Sequence, residues 1–308
     1  NFYPHEYSLI YDPYGFHDLY NATVENWNFL RVDHYIKKHI QYFNHISKKK
    51  NKYYHYSKNL DSFFLVNSSA IHKEFIDDLV RFKYSLNSRV NYVYLNPINK
   101  IFSRIKNKVY KQSDYSNFSK LSKDEFNKIV NKFHKNLFQN KVDFNTSLLL
   151  EKSIPSNNLL PSMNFISNLK VILVNRDPRD TFVQMSNGKS VFWGNNNNIT
   201  DADVLKFIEW KKAMYSDVEK YQLKINSVNK IEGKEILYIE FESLILDHIK
   251  IKSKIESFLN FNSNDQILKA KFLNINRSKQ NIGVWRNYKN QSHIDLITKA
   301  FNLEVNQK

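Results

Sequence analysis

The chain has 308 residues, enough for one large domain or two small ones, and its 42% hydrophobic and 15% aromatic content excludes wholesale disorder. With no cysteine and only five scattered glycines, it excludes disulfides, thiolate metal sites and thiol catalysis, and it carries neither G-x-G-x-x-G nor G-x-x-x-x-G-K-[ST]. The 46 basic residues against 30 acidic ones, a formal charge of +16, favour an anionic partner such as nucleic acid, an acidic glycan, a phosphorylated cofactor or an anionic membrane surface; lysines that merely solvate surface helices are the equal alternative.

No apolar run reaches the roughly 18–20 residues of a membrane span. Residue 1 is Asn rather than Met, so the sequence is expected to start after a removed or missing segment, which leaves a targeting signal open. The first residues are aromatic and weakly periodic and receive no assignment. The basic, Tyr-rich stretch from Ser47 to Lys58, with Lys48, Lys49, Lys50 and Lys52, reads as an exposed loop or helix end.

After it, short apolar runs alternate with helical patterns. Strands are expected at Phe63–Val66, Tyr92–Leu95, Leu148–Leu150, Val171–Val174 and Ile236–Phe241. Near-continuous runs of this kind suit strands buried on both faces of a parallel sheet. Ser122 with Glu125 forms a capping box ahead of a face bearing Phe126, Ile129, Val130, Phe133 and Leu137. Thr200 with Asp203 starts a second helix, carrying Val204, Phe207, Ile208, Ala213, Met214 and Val218, and Ile249–Leu259 and Ile294–Phe301 supply two more. Alternating strands and helices imply an α/β fold with a mostly parallel central sheet flanked by helices.

The most informative segment is Leu169-Lys-Val-Ile-Leu-Val-Asn-Arg176-Asp177-Pro178-Arg179-Asp180. A buried strand delivers two guanidinium groups to a Pro-bearing turn at a helix start, and both features favour an anion. The alternative is an Asp–Arg turn that pairs only with itself. Asp201-Ala202-Asp203 formally matches the D-x-D metal motif, but carboxylates in a first helical turn serve capping and the helix dipole. The ten histidines show no ligand spacing, so no metal site is expected, and Trp210 and Trp285 read as packing residues.

Taken in order, five short segments resemble sulfotransferases that use 3′-phosphoadenosine 5′-phosphosulfate (PAPS), in particular the heparan-type and bacterial carbohydrate members. The strand with RDPRD resembles their 3′-phosphate element. Glu151-Lys152-Ser153 resembles the E-K-[ST] strand end, and Ile236 to Leu244 the strand ending in Y-E-x-L, with Phe241 in the Tyr position. Ile255 to Asn260 resembles their I-x-x-F-L-G helix end. Asn276-Arg277-Ser278-Lys279 with Ile282-Gly283-Val-Trp285 resembles the late R-x-K/G loop and its G-x-W sequel. The likeness spans roughly residues 91 to 300. It implies a P-loop-kinase-like sulfotransferase fold at 89–308, with residues 1–88 as an aromatic, basic segment packed on that core.

The resemblance implies PAPS as co-substrate, no metal, and sulfuryl transfer to a hydroxyl or amine of an acceptor, most readily a carbohydrate. Lys100 would neutralise the departing 5′-phosphate, with Ser103 and Arg104 completing its loop. Lys152, beside Glu151, would face the sulfuryl group. Arg176, Arg277 and Lys279 would hold the 3′-phosphate, with Gln184 in place of the family's serine eight positions after the first Arg. Ile101 and Phe102 replace the glycines of the K-G-G-T-R pattern, where positive φ and close backbone approach are required. The base is unassigned among Asp114, Glu151 and His134. The alternatives are an inactive member of the fold serving as a glycan-binding or structural subunit, and a nucleic-acid binder supported by charge alone, without a specific motif. The lack of cysteine suggests a cytoplasmic or membrane-peripheral protein.

Overall fold

The structure, a computed structural model, describes residues 2–47, 60–85, 115–142, 147–187, 199–260 and 274–303. The expected strand at Tyr92–Leu95, Lys100, Ser103, Arg104, Asp114, most of the basic stretch and the expected domain boundary at 88/89 lie outside the described residues. The chain divides into two compact units, Asn1–Pro155 with Leu160–Asn168 and Ser156–Leu159 with Leu169–Lys308.

The first unit is mainly helical. Strand β1 (Phe2–Glu6) pairs in parallel with β4 (Leu149–Glu151), while β2 (Phe82–Ser85) and β3 (Tyr115–Phe118) form an antiparallel pair. Its helices are α1 (Phe16–Tyr20), α2 (Phe29–Ser47), α3 (Leu60–Phe64), α4 (Ser68–Leu79), α5 (Lys123–Phe138) and α6 (Leu159–Met163), the last straddling the division. The capping box expected at Ser122 is present: its hydroxyl accepts from Glu125 N–H while the Glu125 carboxylate accepts from Ser122 N–H.

Residues Phe63–Val66, expected as a strand, instead end α3 and the turn after it. A four-residue apolar run has no period that separates a strand from a helix end. Phe64 is fully buried and stacks on Tyr3 at 5.2 Å, which anchors this helix end.

The core of the first unit combines aliphatic side chains with a network of aromatic rings. Phe16 meets Phe75, Phe133 and His134 edge-on at 5.4, 5.3 and 5.2 Å, and Phe43 lies flat on His72 at 3.9 Å. His39 and His134 are held through Nδ1 by the carbonyls of Tyr14 and Val130. Buried Asp33 on α2 accepts from both the backbone and side-chain amides of Asn117, at 2.8 and 3.1 Å, and so fixes β3 against α2.

The second unit is mixed α/β. Its sheet has the order β5 (Val171–Asn175), β7 (Lys234–Glu240), β6 (Ser227–Ile231). Strands β5 and β7 run parallel, Val171 opposite Ile236 and Asn175 opposite Glu240, whereas β6 is antiparallel to β7. The mixed α/β class agrees with expectation. Among the described residues the strands form three small sheets with parallel and antiparallel pairs. Helices α7 (Pro178–Asn187), α8 (Asp201–Met214), α9 (Ser216–Lys220), α10 (Phe241–Leu246), α11 (His248–Leu259), α12 (Ile275–Lys279) and α13 (Gln291–Ala300) complete the unit.

Thr200 and Asp203 cap α8 reciprocally, so the D-x-D match is a helix start. Val218, expected on that helix, belongs to α9, because α8 ends at Met214. Leu237 and Ile239 of β7 pack with Ile251 and Phe258 of α11, while Phe182, Phe207, Trp285, Ile294 and Ile297 form a second cluster. Trp285 is thus a packing residue, as expected. No described helix is long and apolar enough to cross a membrane.

The buried histidines of the first unit make its stability acid-sensitive. Burial lowers His39 and His134 to about 4 and His72 to about 3. Each is neutral in the folded state while its unfolded counterpart protonates near 6.5. Stability is therefore full above pH 6.5 and is lost as pH falls toward 4, by about 1 kcal/mol per histidine per pH unit. Thermal unfolding followed from pH 7 to 4.5 should show a falling midpoint, and His72→Phe, which keeps the stack on Phe43, should flatten that slope; an unchanged slope would remove His72 from the account.

Candidate functional site

The parallel pairing of β5 with β7 places Arg176 and Asp177, which follow β5, at the same sheet edge as Glu240 and Glu242. Asp177 organises the turn. Its carboxylate accepts from Arg179 N–H at 2.8 Å and from the Arg179 guanidinium at 2.7 Å, and its carbonyl accepts from Thr181 N–H at 3.0 Å. Pro178 at the first helical position needs no donor and has the right φ. Asp177 N–H in turn donates to Glu242 Oε1 at 3.1 Å, tying the two strand ends together.

The two arginines of this segment have different fates. Arg179 is 2% exposed, clamped between Asp177 and the face of Trp285 at 4.1 Å. It follows the reading of a turn that pairs with itself. Arg176 is only partly buried and lies 5.2 Å over the Phe241 ring. One of its terminal nitrogens donates to Gln184 Oε1, the other to the Asn281 carbonyl, and its Nε has no acceptor.

The loop carrying Asn281 is held by Asp180. This carboxylate is 1% exposed and accepts from Gly283 N–H at 2.7 Å and Trp285 N–H at 3.2 Å. Burial raises its pKa, and the two N–H donors oppose the rise. Gly283 sits at φ +72°, a left-handed conformation that side chains rarely adopt, so glycine suits the turn.

A residue absent from the sequence-based set completes the edge. Lys211 on α8 is 6% exposed, with Nζ 4.3 Å over the Tyr215 ring. Burial pulls its ammonium down to about 8, against the opposing pull of Asp177 and Glu242. Glu242 is raised by burial, and its Oε2 has no hydrogen-bond partner. Lys211 was detectable in principle: it stands seven residues after Val204 on the apolar face with Phe207 and Ile208, where a charge is out of place. The edge thus gathers Arg176 and Lys211, a carboxylate held above its usual range, and an orphaned guanidinium nitrogen. Such a set can grip an oxyanion.

The remaining expected residues are distributed as follows. Gln184 is exposed on α7 and contacts Arg176, whereas Arg277 and Lys279 are exposed on α12, just before Asn281. Glu151 and Lys152 belong to the first unit, at the end of β4; Lys152 has a left-handed backbone, φ 49°, and its Nζ pairs with Glu6 of β1. His134 is 1% exposed within the aromatic core of that unit. Among the described residues no group of three or more His, Asp or Glu side chains is arranged to hold a metal ion. Comparisons with family models, curated proteins and solved structures found no match to the chain.

Two outcomes follow. Asp180→Ala orphans two amides and should destabilise the second unit by about 2–4 kcal/mol in urea unfolding, with Asp180→Asn costing less because it keeps an acceptor. A stability equal to wild type would show that the carboxylate does not hold the loop. Acylation of Lys211 by an amine-directed reagent, mapped by peptide mass, should rise through a midpoint near pH 8. A midpoint at the usual lysine value of about 10.4 would contradict its burial beside Arg176.

Proposed function

We propose that the chain transfers the sulfuryl group of PAPS to a hydroxyl or amine of an acceptor, most readily a carbohydrate, on a sulfotransferase-type α/β fold. The observation that carries this reading is the meeting at Arg176 of three segments whose family counterparts bind the 3′-phosphate. They are the strand end itself, the position eight residues on (Gln184) and the loop after Arg277 and Lys279, which arrives through Asn281. The fit to a phosphate rests on the unpartnered Arg176 Nε and on the neighbouring Lys211 ammonium.

In the reaction the acceptor oxygen or nitrogen forms a bond to sulfur as the bond from sulfur to the 5′-phosphate oxygen breaks. The acceptor proton leaves to a base or to solvent, and 3′-phosphoadenosine 5′-phosphate departs. Positioning and charge neutralisation supply most of the rate in such transfers. Within the second unit, Arg176, Lys211, Arg277 and Lys279 serve the 3′-phosphate. The reaction as proposed needs no metal. A second reading, an inactive relative that binds glycans, draws on Ile101 and Phe102 at the glycine positions of the phosphate loop.

Calorimetric titration with 3′-phosphoadenosine 5′-phosphate separates these readings. The wild-type protein should bind it, and folded Arg176→Ala should lose tenfold or more in affinity, about 1.4 kcal/mol or greater. Unchanged affinity in the variant removes the 3′-phosphate assignment, and absence of binding by the wild type favours the second reading.

A further inference from the structure

The opposite edge of the same sheet carries a second cationic site. Lys170 directly precedes β5, and Glu235 is the second residue of β7, so both stand at the end of the parallel strands away from Arg176. Between this edge and α11 lies a groove of about 580 Å³, within the size range of small-molecule pockets.

Its wall on α11 is one stripe. Lys250, Ser253, Lys254 and Ser257 recur at i, i+3, i+4 and i+7, the spacing of a single helix face. Two like charges at i, i+4 disfavour a helix unless something compensates them. The only acid on this helix, Glu256, is paired with Lys252 at 3.5 Å, outside the stripe.

Two of the cations are held in place by backbone carbonyls. Lys170 Nζ donates to the Phe258 carbonyl and Lys254 Nζ to the Asn226 carbonyl. A carbonyl fixes an ammonium but leaves its charge intact. Among the described lining residues Glu235 is the single carboxylate, and it is shared between Lys170 at 3.7 Å and Lys230 at 3.3 Å. The lining therefore presents three cations to one anion, two serine hydroxyls as donors, and apolar surface from Phe258 and Val228. Solvated surface lysines need neither fixed positions nor a common concavity.

We propose that this groove binds a phosphate or sulfate ester, its tetrahedral oxyanion seated among Lys170, Lys250 and Lys254 and its organic body against Phe258 and Val228. The site is independent of Arg176 and of the sulfuryl-transfer reading.

The test uses the full chain and glucose 6-phosphate, with glucose as control, observed through the amide resonances of residues 250–260. The ester should shift these resonances and glucose should not. The Lys250→Glu/Ser253→Asp variant, changed only at exposed positions, should weaken the response tenfold or more. Arg176→Ala should leave it intact, so failure here is distinct from failure of the 3′-phosphate assignment. Co-sedimentation with phosphatidylcholine vesicles, with and without phosphatidate, identifies the source. Capture that needs phosphatidate and is abolished by the double variant assigns a lipid headgroup, and a response to glucose 6-phosphate without capture assigns a soluble ester. An equal response to glucose, no response to any phosphate-bearing probe, or full binding by the double variant overturns the proposal.

Discussion

The second unit depends on one buried carboxylate. Asp180 stands in the first turn of α7 and takes the backbone amides of Gly283 and Trp285 from a loop more than a hundred residues later. Two satisfied donors offset the cost of burying the charge. With that loop docked, Trp285 covers Arg179, the Asn281 carbonyl reaches Arg176, and the second hydrophobic cluster closes around Phe182. The strand–turn–helix segment and the late loop thereby become one structure.

Charge is partitioned within this unit. At the carboxyl edge of β5 and β7, arginine and lysine are interleaved with Asp177, Glu240 and Glu242, and partial burial shifts Lys211 and Glu242 toward their neutral forms. At the amino edge the lysines sit on an open groove, where carbonyls hold Lys170 and Lys254 and one carboxylate, Glu235, pairs with Lys170. A formal charge of +16 counts both kinds of site alike. Their chemistry differs because one edge tunes protonation by desolvation and the other gathers lysines around a concavity.

The first unit solves a different problem. Its interior packs phenylalanine, tyrosine and neutral imidazole rings against one another among aliphatic side chains such as Ile10, Leu19, Val32, Ile36 and Leu137. Imidazole packs as an aromatic only while uncharged, so this core couples folding to proton uptake. The residues before the basic stretch were only weakly periodic because α2 buries Asp33 and His39 on the same face as Val32, Ile36 and Phe43.

By itself the sequence determined the elements with local signals. The capping boxes at Ser122 and Thr200, the strands starting near Val171 and Ile236, and the turn built by Asp177, Pro178 and Arg179 are written in residues a few positions apart, and the structure has them where expected, although β5 is buried only at Val171. Only the tertiary structure decided the rest. It turned Phe63–Val66 into a helix end and paired β4 with β1. It also separated the roles of Arg176 and Arg179 and brought Lys211 to the strand edge. Each of those outcomes rests on burial and on partners distant in the chain, and a local pattern of residue types contains neither.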